Sequence, residues 1–179
     1  MEDGFSHPLH RGDLRGCLTN FMPDIPDIKQ GTDEYDSTLA RLFSEAATEI
    51  VKSSTWAEIK HFAISRKVPD LFGAALVQAK ITMFDGEMLE LLRTPDSAEL
   101  QFALGYLSKR FQDSGWPWVE CLLQDKELSP EQCARLLLVT ADFPKAWEIA
   151  DATSEEVATA FGAIFEQLGV APISPMWRQ

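Results

Sequence analysis

Nowhere does this sequence alternate apolar and polar residues at period two over the length of a strand, and that absence removes sheet proteins as a class. Cysteine is scarce. Cys17, Cys121 and Cys133 form no Cys-x-x-Cys pair and no even set, so neither a disulfide framework nor a thiolate metal knuckle is encoded. No apolar run approaches the roughly eighteen residues that a membrane helix needs. The opening Met-Glu-Asp-Gly-Phe-Ser-His carries acids and no apolar stretch, unlike a secretory leader, so the expected location is a cytoplasm, taken as bacterial.

Positive charge is also short. Sixteen Lys and Arg face 28 Asp and Glu, for a net charge of −12 and a pI near 4.6. Such a surface is repelled by phosphate backbones and anionic lipid, and no Lys/Arg-rich stripe reverses this locally. Nucleic acid and membrane are therefore set aside as partners, and a protein partner, most simply a basic one, is expected. Phosphate cradles are missing too: neither G-x-x-x-x-G-K-[ST] nor G-x-G-x-x-G occurs, and there is no G-x-S-x-G elbow.

What is present is helix. From Tyr35 to Val51, Leu39, Leu42, Phe43, Ala46, Ala47, Ile50 and Val51 follow the spacing of a single helix face. Thr55-Trp56-Ala57-Glu58 is a capping box, in which hydroxyl and carboxylate satisfy orphan amides reciprocally; Trp56, Ile59, Phe62 and Ala63 follow on the inner side. Pro69 suits the first turn of a helix bearing Leu71, Phe72, Ala75, Leu76 and Ala79. A short segment from Asp85 presents Met88, Leu89, Leu91 and Leu92, with Asp85, Glu87 and Glu90 complementing the helix dipole.

Further along, Pro95 to Glu99 stops that segment and caps the next, where Leu100, Leu104, Leu107 and Phe111 recur at near-heptad spacing. Gly115 and Pro117 set off a short helix with Trp118, Leu122 and Leu123 inward. Ser129-Pro130-Glu131-Gln132 combines N-cap, N1 proline and N3 glutamine, and Cys133, Leu136, Leu137 and Thr140 face inward behind it. Phe143 to Trp147 opens another helix. Thr153-Ser154-Glu155-Glu156 caps the last, with Val157, Phe161, Ile164, Phe165 and Leu168 inward and Gly169 as its stop.

The fold expected is all-α: an irregular stack of about eight or nine short antiparallel helices, arranged as a bundle or like a helical repeat. Residues 1–34, broken by glycine and proline, form an irregular N-terminal arm; 35–169 form the helical domain; 170–179 form an extended, proline-containing tail. Two stretches, GWPWVECLLQDKELSPEQCARLLLVTADFPKAWEIADATSEEVATAF and VPDLFGAALVQAKITMFDGEMLELL, resemble irregular HEAT- or TPR-like helix pairs of long bacterial helical-repeat proteins. The resemblance, carried by helix lengths, caps and Trp placement over residues 54–168, implies a protein-binding scaffold without chemistry of its own.

Candidate chemistry is thin. Glu58 and His61 form a Glu-x-x-His, which places a carboxylate and an imidazole on one helix face as in di-iron bundles. Such sites need a second copy, and the other histidines, His7 and His10, lie in the arm. A metalloenzyme using Glu58 and His61 is thus the least favoured reading, and no cofactor is called for. Cys121 and Cys133 are placed on apolar helix faces, where burial makes a thiol inert. The aromatics are more informative. Trp56 and Trp147 fall on inward stripes, whereas Trp116 and Trp118 flank Pro117 at a break, either sealing a helix junction or binding a partner. In the tail two prolines forbid helix, yet Ile173, Met176 and Trp177 are too apolar for solvent: the tail folds back on its own domain or docks on a partner. The function expected is a non-catalytic protein–protein interaction module with an acidic surface, anchored through Trp116, Trp118, Met176 and Trp177. The alternative is a small inhibitor, immunity or counter-defence type of protein that blocks a basic enzyme.

Overall fold

The structure is a computed structural model that describes residues 25, 28–95, 97–125 and 127–167. Among the described residues there are nine helices and no strand. They are α1 (Asp33–Ser53), α2 (Trp56–Ile64), α3 (Pro69–Gln78), α4 (Asp85–Leu91), α5 (Ala98–Ser114), α6 (Trp116–Asp125), α7 (Pro130–Leu138), α8 (Phe143–Thr153) and α9 (Glu155–Gln167). The protein is an all-α helical stack. No helix among the described residues is long and apolar enough to cross a membrane. Most of the expected arm, the stop at Gly169 and the tail lie outside the described residues.

Local signals set the helix starts. The boxes Thr55–Glu58 and Ser129–Gln132 are both closed in each direction, and Ser97 accepts from the Leu100 amide at the start of α5. At α9 the N-cap is Ser154, whose hydroxyl accepts from the Val157 amide, because Thr153 still belongs to α8. Helix lengths run from 7 residues in α4 to 21 in α1, a wider spread than the sequence pattern suggested.

α3 and α5 make the spine. They cross where each is reduced to glycine: a Cβ added at Gly73 would lie 2.7 Å from the Tyr106 amide nitrogen, and one at Gly105 would fall inside the Asp70 backbone. Two helices this close exchange backbone contacts that side chains would otherwise hold apart. α1 leans on α3, α2 on both spine helices and α4 on α5, while α9 covers α7 and α8 and α6 connects the two groups. Because α5 is surrounded, its most buried residues are Phe102, Ala103, Tyr106 and Leu107, whereas Leu100, Leu104 and Phe111 of the expected stripe are only partly covered. One apolar core runs from Phe43 to Phe165. Stacked, tilted or edge-on rings link Phe62, Phe72, Phe102 and Trp56 at one end, and Phe143, Trp147, Phe161 and Phe165 at the other. Each fully buried Phe side chain contributes about 2–3 kcal/mol by removal from water.

A polar stitch joins the two groups. Gln132, fully buried on α7, donates to the Leu89 carbonyl at 2.7 Å, and Arg135 donates to the carbonyls of Leu92 and of Thr94, the latter at 2.9 Å. The Leu89 carbonyl also accepts from the Leu92 amide at 3.2 Å, so α7 adds side-chain donors to a C-terminal turn of α4 that already has its backbone cap.

Candidate functional site

α5 ends at Gly115, whose φ of 69° lies in the left-handed region that favours glycine, and α6 begins at the next residue. This one-residue joint projects Trp116 and Trp118 to different neighbours. Trp116 packs edge-on against Phe111 with ring centroids 5.4 Å apart, and its indole N–H donates to Asp142 at 3.1 Å. The same Asp142 caps α8, and Lys145 from the first turn of α8 lies 4.6 Å over the Trp116 ring. Lys145 also pairs with Glu120 at 3.3 Å.

Trp118 turns toward α4. Its N–H donates to Asp85 Oδ2 at 3.1 Å, and the Arg110 guanidinium lies 5.0 Å from its ring centre. Arg110 meets Asp85 as a fork, Nε to Oδ1 at 3.0 Å and Nη2 to Oδ2 at 2.9 Å. The Tyr106 hydroxyl donates to Oδ1 at 2.8 Å. Burial pushes the Asp85 carboxyl up, but the hydrogen bonds from Arg110, Tyr106 and Trp118 and the Arg110 charge outweigh it and hold it below the ordinary aspartate range. Burial and the Asp85 charge push the Tyr106 phenol far up, and Asp85 in turn raises Arg110.

Four donors therefore occupy the two oxygens of Asp85, which is all a carboxylate offers. Such a group cannot also take a substrate proton. What it does is tie α4, α5 and α6 at one point. The sequence placed Asp85 as a dipole-complementing acid; its position at the helix start is as expected, but its side chain forms no cap and is spent on this network. A hint lay in the i, i+4 spacing of Tyr106 and Arg110, which puts a phenol and a guanidinium on one face of α5.

The remaining candidates fall elsewhere. Trp116 and Trp118 are half-buried; Met176 and Trp177 lie outside the described residues, so no geometry joins the four. Trp56 and Trp147 pack against the core as expected. Glu58 spends its Oε2 on the Thr55 amide and hydroxyl at 2.7 and 2.9 Å, which holds its carboxyl below the ordinary range. His61, one turn along α2, is exposed, and both line an open groove of about 590 Å³. Among the described residues no three His, Cys, Asp or Glu side chains are grouped to hold a metal ion.

Cys133 is buried, and burial raises its thiol. Cys121, expected on an apolar face, is instead exposed. The inward stripe of α6 centres on Val119 and Leu122, which turns residue 121 outward. No protein family, no curated protein and no solved structure matches the chain.

Proposed function

We propose that this chain is a non-catalytic protein-interaction module that receives a basic partner on the acidic side of its C-terminal helices. The observation that carries the reading is the charge distribution. Residues 116–167 hold ten acids against three Lys or Arg. Of those cations, Arg135 is committed to the carbonyls of Leu92 and Thr94, and Lys145 lies between Glu120 and the Trp116 ring. Glu148, Asp151, Glu155 and Glu156 stand exposed with little positive charge to answer them, a field that draws basic surfaces and speeds their encounter. Half-buried Trp116 and Trp118 supply apolar contact beside it, and Met176 and Trp177 are the further anchors of the proposal.

The test is capture from native lysate on the immobilised full chain, with mass measurement of what is retained. The expected result is a basic protein, released when salt is raised to about 0.5 M. It is lost in the double variant Glu148→Lys/Asp151→Lys, and weakened by Trp177→Ala with helicity unchanged. An acidic partner, or one that survives the double charge reversal, overturns the reading.

A further inference from the structure

Two stretches of the stack follow one plan. A closed capping box opens a nine-residue helix at Thr55–Glu58 and again at Ser129–Gln132. A proline in the first turn of the next helix comes 14 positions after the start of one box and 15 after the start of the other. The result is Pro69-x-x-Phe72-x-x-Ala75 in α3 and Pro144-x-x-Trp147-x-x-Ala150 in α8, with both alanines buried. A serine then caps a longer helix, Ser97 for α5 and Ser154 for α9. In each case that helix packs on both of its partners, α5 on α2 and α3, α9 on α7 and α8.

The likeness extends to side-chain contacts. Counted from their boxes, Ile59 and Ala63 of α2 hold the places that Cys133 and Leu137 hold in α7, and all four are buried. The aromatic three residues after each proline meets a ring of the serine-capped helix. Phe72 lies 5.8 Å from Phe102 between ring centroids, and Trp147 lies 4.9 Å from Phe161. Each capped helix also turns a glycine toward the proline-opened one: Gly105 at the Asp70 backbone, and Gly162 at Trp147, where an added Cβ would stand 3.4 Å from the ring edge. Only α4, between α3 and α5, has no counterpart between α8 and α9.

We infer that α2–α3–α5 and α7–α8–α9 are two equivalent three-helix units, and that the second opens as a unit while the first stays folded. Among the described residues, none of α7, α8 and α9 packs along α1, α2, α3 or α5. The apolar core continues through the seam, but no ring of α2, α3 or α5 meets a ring of α8 or α9 there. What closes it includes the bonds from Gln132 and Arg135 to the carbonyls of Leu89, Leu92 and Thr94. Water replaces such bonds when a seam parts, so their loss costs less than uncovering an apolar face. The first unit is the firmer of the two. α1 and α4 buttress its spine, and α3 and α5 meet backbone to backbone at Gly73 and Gly105. Among the described residues no further helix packs along α8 or α9, and the Trp147 indole N–H is buried there without an acceptor, a cost that opening relieves. The exposed acids of the proposed partner face take no part in the seam, so the two readings stand or fall separately.

The test is amide hydrogen exchange of the full chain, followed residue by residue at rising, sub-denaturing guanidinium chloride. The protected amides of α7, α8 and α9 should converge on one opening reaction, and those of α3 and α5 on a second that is at least about tenfold rarer. Core variants then fix the order. Phe72→Leu weakens the unit that stays folded during the first opening. It should speed exchange in α3 and α5 about tenfold and leave α7–α9 within about twofold of the parent. Leu76→Val, a milder change in the same unit, should repeat that pattern. Phe161→Leu weakens the unit that is open in both reactions, and should speed both sets of amides about tenfold. One opening reaction for all protected amides, a first unit that opens ahead of the second, or a Phe72→Leu variant that speeds both sets alike overturns the inference.

Discussion

Asp85 shows how much a single side chain can organise when every acceptor site on it is used. Its carboxylate receives donors from two other helices. In Asp85→Asn the amide nitrogen faces Arg110, Tyr106 or Trp118 as one donor against another. The expected loss at neutral pH is about 2 kcal/mol, the scale of hydrogen bonds to a charged group. The pH dependence has a definite sign. The folded chain holds the Asp85 carboxyl below its ordinary value, so its contribution is complete above about 3.9 and disappears as pH falls through the lower folded value. Urea unfolding at pH 7 and pH 3 should therefore show the variant falling less far below the parent at the acid end than at neutrality. Equal losses at both values would remove the charge from the explanation. Asp113, lowered by Lys109 and Lys80, contributes an acid dependence of the same sign in both proteins.

Between helices, the close crossing of α3 and α5 governs what the spine tolerates. Alanine in mid-helix is usually favoured over glycine by about 1 kcal/mol. At Gly105 the new Cβ would meet the Asp70 backbone, which cannot swing away as a flexible side chain does. Gly105→Ala should lower stability by about 3 kcal/mol despite the propensity gain, read by chemical denaturation. Gly86, with nothing near its Cβ position, serves as the control and should gain from the same change. A glycine within a clear helical pattern was a legible hint of packing, but its partner was not. Capping boxes such as Thr55–Glu58 are complete within four residues, so their sequence is their structure. The Gln132 side chain, by contrast, reaches a carbonyl 43 positions earlier, and no local pattern encodes that pairing. For the same reason Trp118 was recognisable as a residue at a junction, while its acceptor on Asp85 was not.

At the scale of the whole molecule, a net charge of −12 stores repulsion that opposes compaction. Several ion pairs, such as Arg41–Glu45, Lys52–Glu49 and Arg93–Glu90, are solvent-exposed and add little. Screening should then help more than it harms: the unfolding temperature should rise by about 2–4 °C between about 10 mM and 300 mM sodium chloride, about what 1 kcal/mol produces in a chain of this size. A falling temperature would mean that specific pairs such as Arg110–Asp85 outweigh the general repulsion. The way α7 closes the end of α4 also bears on birth at the ribosome. A chain emerging from its N-terminus presents the carbonyls of Leu92 and Thr94 without these side-chain donors, and that of Leu89 with the Leu92 amide alone, until Gln132 and Arg135 have been synthesised. Early in translation that helix end has its own turn and water but not these side-chain donors, and the nascent chain acquires its second half as a late-arriving lid on the first.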